Sequence, residues 1–425
     1  MSQAMHALFA PWVVPVEQPV IDNGAVVIRQ GVIVDVGSSE YIRQRFPNAV
    51  RVELEGVLMP GLVNGHTHLE LSHLAGGSEL HEGELFVDWV ESLIARRGQE
   101  NSEQEIASAS DSALAKQYLS GVVLLGDIAN SRYDGSEQPD DCRAYPTVVR
   151  MLEFLAPTRQ ACDLVTQAID TLQQGVVATA HAPYSTSPHI IQALKKRSRE
   201  LGHPFSIHVA ESGDEVEFIR KNLGPFRNFL EKRNSWDGTL DFGPLHSDGT
   251  VEYLNKLGVL DTKTLLVHCI HVSDRELEII ADSGANICLC PGSNEFLKVG
   301  RAPVEKMVNM DILPALGTDS LASNTSLDMW REMQLLAVNN SGLSCDTILA
   351  MATRGGARAL QRGNDYGALG RGKSADFIHV NSKHLKKCRT REELIAGLVR
   401  KGRPGYIRHV ADEIDKWTGH VTPVR

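Results

Sequence analysis

The chain contains no apolar stretch near the roughly 18 residues that a membrane-crossing helix requires, so no such helix is expected. Its N-terminus lacks a basic region followed by a long apolar core. No secretory signal is read there, and the cytoplasm is the default expectation. No Cys-x-x-Cys pair occurs. The seven cysteines (Cys142, Cys162, Cys269, Cys288, Cys290, Cys345 and Cys388) are odd in number, which suits free thiols in a reducing compartment better than a disulfide framework. Positive charge is in deficit. The net charge of -10 argues against a nucleic-acid backbone as partner and leaves a small molecule, anionic ones included, because a local pocket can oppose the global charge. A Gly-rich phosphate turn after an early strand is missing, and with it the usual mark of a doubly wound nucleotide-binding sheet. Internal repeats and low-complexity linkers are absent too. Self-association is left open.

What is present is an ordinary globular composition, 42% hydrophobic and 23% charged. At 425 residues the chain is too long for one compact core, so a large domain with a smaller companion is expected. Residues 1–58 read as short strands. The β-branched run 25–37, broken by Gly31, suits a hairpin, and a first helix is expected over 39–45. From Leu62 the pattern changes to apolar runs alternating with helical stretches. The runs are 62–68, 122–128, 147–155, 176–181, 205–211, 264–269, 285–290 and 313–319. Stretches such as 190–196 and 274–280 show the 3.6-residue spacing of amphipathic helices. Eight β-then-α units in about 260 residues predict an α/β fold of the (β/α)8 TIM-like barrel type. Residues 212–261 are too long for a plain connection and read as an insertion with helices near 215–221 and 226–233. That insertion either shapes the pocket or is peripheral. Helices are expected over 327–338 and 345–361. The strand-like run 374–380 then returns to the N-terminal strands. The division expected is 1–58 and 366–425 as the two parts of a small β-sandwich domain, with the barrel over 59–365.

The polar residues fall in one place along these runs. His66 and His68 are two apart, so on a strand they face the same side. Two imidazoles so placed offer half of a tetrahedral metal site, although a chance His-x-His pair is common. The third run carries Glu153 and the fourth ends in His181. The fifth ends in His208, with Glu211 three residues on. The sixth ends in His268 and the eighth in Asp319. Chemistry in eight-fold barrels sits at the carboxyl ends of the strands. Any one of these histidines is a satisfied core residue by default. Their clustering at one end of so many strands calls for a shared partner, and a metal supplies one. Cys288 and Cys290 read instead as small apolar residues of a buried strand.

These segments resemble the amidohydrolase superfamily, in the branch of adenosine, guanine and S-adenosylhomocysteine deaminases and triazine hydrolases. The matching stretches are Pro60-Gly61-Leu62-Val63-Asn64-Gly65-His66-Thr67-His68, His181-Ala182-Pro183-Tyr184-Ser185, His208-Val209-Ala210-Glu211, Val267-His268-Cys269-Ile270-His271 and Gly317-Thr318-Asp319-Ser320. The late Gly370-Arg371-Gly372-Lys373-Ser374-Ala375-Asp376 resembles the re-entry into that family's small β domain. The resemblance implies one divalent metal, zinc first and iron as second choice, on His66, His68, His208 and Asp319. No lysine stands at the end of the fourth strand for a second metal. It further implies Glu211 as proton donor to a ring nitrogen, His268 as stabiliser of the developing oxyanion or as a guide for the water, and Asp319 as acceptor of the water proton. His181 matches a sugar-contacting histidine. Residues 83–90 resemble the first pocket loop, where Phe86 and Trp89 either stack on a flat ring or form a helix's apolar face. Where S-adenosylhomocysteine deaminases carry a ribose-binding glutamate, this chain has Arg96-Arg97-Gly98, and Arg97 is a candidate partner for a substrate carboxylate. Glu153 joins the substrate-binding candidates. His-Thr-His-Leu-Glu, the Phe-x-x-Trp helix and His-Ala-Pro-Tyr-Ser together also look like aminodeoxyfutalosine deaminases. The function implied is hydrolytic deamination of an adenine nucleoside with release of ammonia. The alternatives are an s-triazine chlorohydrolase or aminohydrolase, and a non-catalytic scaffold on the same fold.

Overall fold

The computed structural model describes residues 4–77, 80, 84–98, 102–130 and 145–417. Cys142 and Gly83 lie outside the described residues. Its strands are β1 (His6–Val13), β2 (Ile21–Arg29), β3 (Val32–Ser38), β4 (Val50–Glu53), β5 (Val57–Pro60), β6 (Leu62–Thr67), β7 (Val122–Ala129) and β8 (Thr147–Phe154). They continue with β9 (Val177–Ala180), β10 (Phe205–Val209), β11 (Thr264–His268), β12 (Asn286–Leu289), β13 (Ala315–Leu316), β14 (Phe377–Val380) and β15 (Ile407–His409).

All eight apolar runs of the barrel are strands. β6 to β9 pair in order as one parallel sheet and β10 to β13 as another. Two seams close them into a TIM-barrel-like ring. At one, the His208 amide donates to the His181 carbonyl (2.9 Å) and the Ser206 amide to the Thr179 hydroxyl (2.8 Å). At the other, the amides of Thr318 and Asp319 both reach the His66 carbonyl at 3.1 Å. β13 is only two residues long, shorter than its apolar run. Beside those backbone bonds, the side chain of Asn64 donates to Thr318 Oγ1 (2.8 Å) and accepts from the Thr318 amide (3.2 Å).

The barrel interior is packed by Val63, Leu124, Met151, Leu265, Val267, Cys288 and Ala315, all buried. Each large apolar side chain removed from water there contributes about 1.5–3 kcal/mol. Small residues let the ring close tightly around Cys288: a Cβ on Gly317 would stand 2.8 Å from the His66 carbonyl and 2.9 Å from Cys288 Sγ. Cys288 and Cys290 are fully buried, as the apolar reading of that strand requires, and the six described cysteines are free thiols.

The surrounding helices carry their own start and stop signals. The helix Asp274–Ser283 begins at a Ser273/Glu276 capping box and ends at Gly284 in the left-handed region. The helix Pro188–Leu201 has a Ser187 cap, proline in its first turn and Gly202 at its end. Two expected helices differ. The first starts at Met329, because Asp328 caps it by accepting the Trp330 amide (2.9 Å). The run expected over 345–361 is Cys345–Ala350, a π-helical turn Met351–Gly355, then Gly356–Ala359. The widened turn brings Gly355 and Gly356 flush against Pro314 and Val63, where a Cβ would lie 2.4 and 2.6 Å from its neighbours. No helix among the described residues is long and apolar enough to cross a membrane.

The chain ends share one seven-stranded mixed sheet, ordered β15-β14-β5-β1-β2-β3 with β4 also on β1. The expected hairpin is β2–β3, turning at Gly31 with φ of 78°, and the expected helix spans Ser39–Arg45.

Candidate metal centre and active site

The carboxyl ends of the barrel strands gather the histidines and acids into one buried cluster. His66 sits near the end of β6. His68 lies one residue past it, at the start of a 3-10 turn and no longer on the strand, yet the two rings remain 4.9 Å apart. His208 on β10 places its ring 4.9 Å from His66 and 5.5 Å from His68. One ligand atom from each of these three histidines lies within 4.8 Å of the others. Asp319 Oδ1 stands 3.8 Å from His66 Nε2 and 3.6 Å from His68 Nε2.

The protonation chemistry of this cluster suits a metal. Both ring nitrogens of His66 are buried, and among the described residues neither has a hydrogen-bond partner. Such a group costs stability unless something satisfies it. Burial, then the neighbouring imidazoles, holds His66 well below the usual histidine range. Burial also lowers His68 to about 3, and burial with His181 lowers His208 to about 4. The rings are therefore neutral at pH 7, the form that donates a lone pair. His208 Nδ1 lies 2.8 Å from the His181 carbonyl oxygen, which leaves its Nε2 for the centre. Asp319 shifts the opposite way from its neighbours Glu153 and Glu211. Burial raises its pKa, but His68, His268, His208 and a hydrogen bond from Ser293 outweigh that and hold it low. Three neutral nitrogens and one carboxylate fit a divalent cation.

Beside this set lies a second pair. Glu211 Oε1 is 3.4 Å from His268 Nε2, and both side chains are buried. Burial first, then the Asp319 charge, pushes the Glu211 carboxyl well above its usual range. Glu211, His268 and Asp319 each offer an atom within 4.8 Å of the others. Ala210, His268, Cys269 and Asp319 all have φ between 49° and 74°, so the strand ends that carry the cluster are in strained backbone.

The remaining candidates ring this centre. His181 Nδ1 lies 2.6 Å from Ser185 Oγ, and its ring is 5.0 Å from His208. Glu153 Oε1 is 3.7 Å from His208 Nδ1, and its Oε2 accepts from Asn130 (2.8 Å). Arg97 is 41% exposed and donates to Glu70 and to Asn130, each at 3.2 Å, so it reaches Glu153 through Asn130. Phe86 is buried between Trp89 (5.7 Å) and Phe226 (6.1 Å), while it also lines a cleft of about 200 Å³ with Ser212, Asp214, His271 and Lys298. Trp89 is half-buried and packs on the core. The 212–261 segment holds the helices Gly213–Lys221, Pro225–Lys232 and Thr250–Lys256. Its Phe226 stacks 4.2 Å from Tyr184, so the segment packs against the aromatic residues beside the site.

Several contributors were not picked out from the sequence. Ser293 and Ser323 both donate to Asp319 Oδ2 at 2.7 Å, and Asn294 Oδ1 lies 3.1 Å from His268 Nδ1. The seventh run looked purely apolar; the Pro-Gly-Ser-Asn turn after it was the available signal. Asp127, at the end of β7, accepts from the Leu69 amide (3.0 Å) and pairs with Arg150 (3.0 Å). Buried Glu215 and its contacts had only a helix-start signal.

Fold and site together define a barrel protein with a metal-capable acid–base centre. The family model described as "Amidohydrolase family" matches residues 57–404, and the chain belongs to that family. It is 27% identical over 407 residues to a 5-methylthioadenosine/S-adenosylhomocysteine deaminase of Syntrophobacter fumaroxidans, covering 91% of this chain and 86% of the relative. Its fold is similar to that of Helicobacter pylori aminofutalosine deaminase in complex with methylthio-coformycin, with TM-score 0.78, 22% identity and coverage of 95% and 100%. An adenosine deaminase from Xanthomonas campestris with bound zinc gives TM-score 0.75 at 23% identity, covering 95% and 90%.

Proposed function

We propose that this amidohydrolase is a metal-dependent hydrolytic deaminase of an adenine nucleoside. The observation that carries the reading is the buried Glu211–His268 pair, 3.4 Å apart and beside the His66, His68, His208 and Asp319 set. When bound by those four residues, a divalent cation, zinc by preference and iron as second choice, supplies an activated water at neutral pH. Asp319 keeps its carboxylate ionised and takes the proton of the attacking water on a carboxylate oxygen. Its Oδ2 accepts from Ser293 and Ser323, and its Oδ1 faces His66 and His68. Glu211, its carboxyl pushed well above the usual range by burial, gives its proton to the ring nitrogen next to the attacked carbon. His268, whose Nδ1–H faces Asn294 Oδ1, presents an accepting Nε2 to the centre and steers the attacking water. Asp319 then passes the water proton to the amino group, the C–N bond breaks and ammonia leaves, and the proton of the new hydroxyl returns to Glu211 as the carbonyl forms.

The substrate side is read from the same wall. His181 and Glu153 take the sugar end, and Phe86, through the cleft it lines, contacts a flat ring. Arg97 lies within reach of the site through Asn130 and keeps a part-exposed guanidinium, which favours a tail bearing a carboxylate. Ammonia release should be screened with adenosine, 5′-methylthioadenosine, S-adenosylhomocysteine and aminodeoxyfutalosine, and chloride release with an s-triazine. Turnover of at least one nucleoside supports the reading. Release from the triazine alone, with none from the nucleosides, would sink it.

The domain division proposed is 1–58 with 366–425 against 59–365. A β-sandwich for the small part is supported by one apolar cluster that joins Ile33 of β3 to Phe377 of β14, at distant positions of the sheet path. The working compartment is taken as cytoplasm.

A further inference from the structure

Glu215 is 0% exposed, yet among the described residues no cation forms an ion pair with it. Its carboxylate instead accepts two consecutive backbone amides: Ala210 N–H on Oε1 at 2.7 Å and Glu211 N–H on Oε2 at 2.9 Å. The first belongs to a residue with φ of 50°, a conformation unfavourable to a side chain. The Ala210 carbonyl in turn accepts the amides of Ile270 (3.0 Å) and His271 (2.9 Å), in the loop that follows His268. One carboxylate thus clamps the turn that carries Glu211, and that turn clamps the loop beside His268. Glu215 is itself fixed on its helix, whose cap Ser212 accepts the Glu215 amide (3.2 Å). A fully buried carboxylate with two amide donors and no cation is expensive to keep. Its position gives the reason to keep it.

We infer that Glu215 is a positioning residue, which sets the Glu211 carboxyl at its 3.4 Å approach to His268 by holding the Ala210–Glu211 backbone. This rests on the reading of Glu211 as the proton donor. Glutamine cannot do the same work, since it offers one acceptor oxygen and turns an NH₂ toward the other amide. In the metal-loaded enzyme, Glu215→Gln should lower kcat roughly 10²-fold, the scale of a misplaced catalytic group, with KM within about threefold. Bound metal per chain, read by elemental analysis, should be unchanged. Ala210→Gly in that background should recover part of the lost kcat, because glycine takes φ near 50° without strain. A crystal structure of the variant supplies a readout that does not depend on turnover: the Glu211 carboxyl should move about 1 Å or more from His268 while the barrel stays in place. Full kcat in Glu215→Gln, a loss confined to KM or metal content, or an unmoved Glu211 overturns the inference. Glu211→Gln run alongside separates the two ideas. Normal turnover in that control removes the proton-donor reading, and the crystal structure still decides whether Glu215 holds the turn. If Glu215→Gln does not fold, Glu215→Asp is read in the same ways. Failure of both to fold makes the carboxylate a folding element and overturns the positioning role.

Discussion

Two buried histidines, His66 and His409, serve different ends in one molecule. His409, on β15 at the seam between the small sheet and the barrel, stacks on Tyr118 with ring centroids 3.7 Å apart. Its Nε2 lies 2.6 Å from the Tyr118 carbonyl oxygen, and Tyr118 Oη donates to Asp412 at 2.8 Å. His409 Nε2 and the Tyr118 hydroxyl both find partners within the protein. His66, at the mouth of the barrel, has both nitrogens unpartnered and other imidazoles around it. The contrast separates a histidine that fills space from one kept ready for a shared ligand. Burial depresses the pKa of both, so the pKa alone does not tell them apart; the hydrogen-bond inventory does.

The largest effect is expected from removing the ligand. Chelation, or His208→Ala, should release the metal and lower kcat/KM by about 10³-fold or more, since metal assistance is worth several kcal/mol. Elemental analysis and an ammonia-release assay check both halves. Next comes Glu211→Gln, expected to keep its metal and lose roughly 10²–10⁴ in kcat. Retained metal with full turnover would remove Glu211 from the mechanism. Ser293→Ala strips one of two donors from Asp319 Oδ2 and should cost about 10- to 100-fold in metal affinity or activity, measured by competition with a chelator.

A pH series on metal-free protein sharpens the contrast further. The unfolded histidine titrates near 6.5, whereas burial keeps folded His181 and His208 neutral down to about 4. Below pH 6.5 the unfolded chain therefore binds more protons. Stability present above 6.5 should fall progressively as the pH drops toward 4. Melting temperatures across that window would show it; a flat profile would mean these rings are not buried and neutral. The smallest effect on catalysis belongs to the other region. His409→Ala should lose about 1–3 kcal/mol of stability, from the ring stack and one hydrogen bond, and leave kcat unchanged. A fall in kcat with an unaltered melting temperature would contradict the division drawn here.

Much of this was legible along the chain. The eight apolar runs became strands because β-branched and apolar runs bounded by turn residues fold locally into the strands of a parallel barrel. His66, His181, His208, His268 and Asp319 were recognisable because each closes such a run, and a strand's end is a local property. The strand limits were less so. β13 is two residues long, and its seam to β6 adds a side-chain bond from Asn64, distant in sequence, to the backbone bonds at His66. The π-helical turn at Met351–Gly355 was set by how closely Gly355 and Gly356 approach Pro314 and Val63.

Which chemical groups arrive at the barrel mouth, and on which strands, is written in the amino-acid order. Only the tertiary structure decided what holds them there: Ser293 and Ser323 on Asp319, Asn294 at His268, Glu215 under Glu211, and Phe226 against Tyr184. The reason is one of range. Strand and helix patterns repeat every two to four residues and are written locally. A hydrogen bond between loops of different strands exists only once the ring has closed.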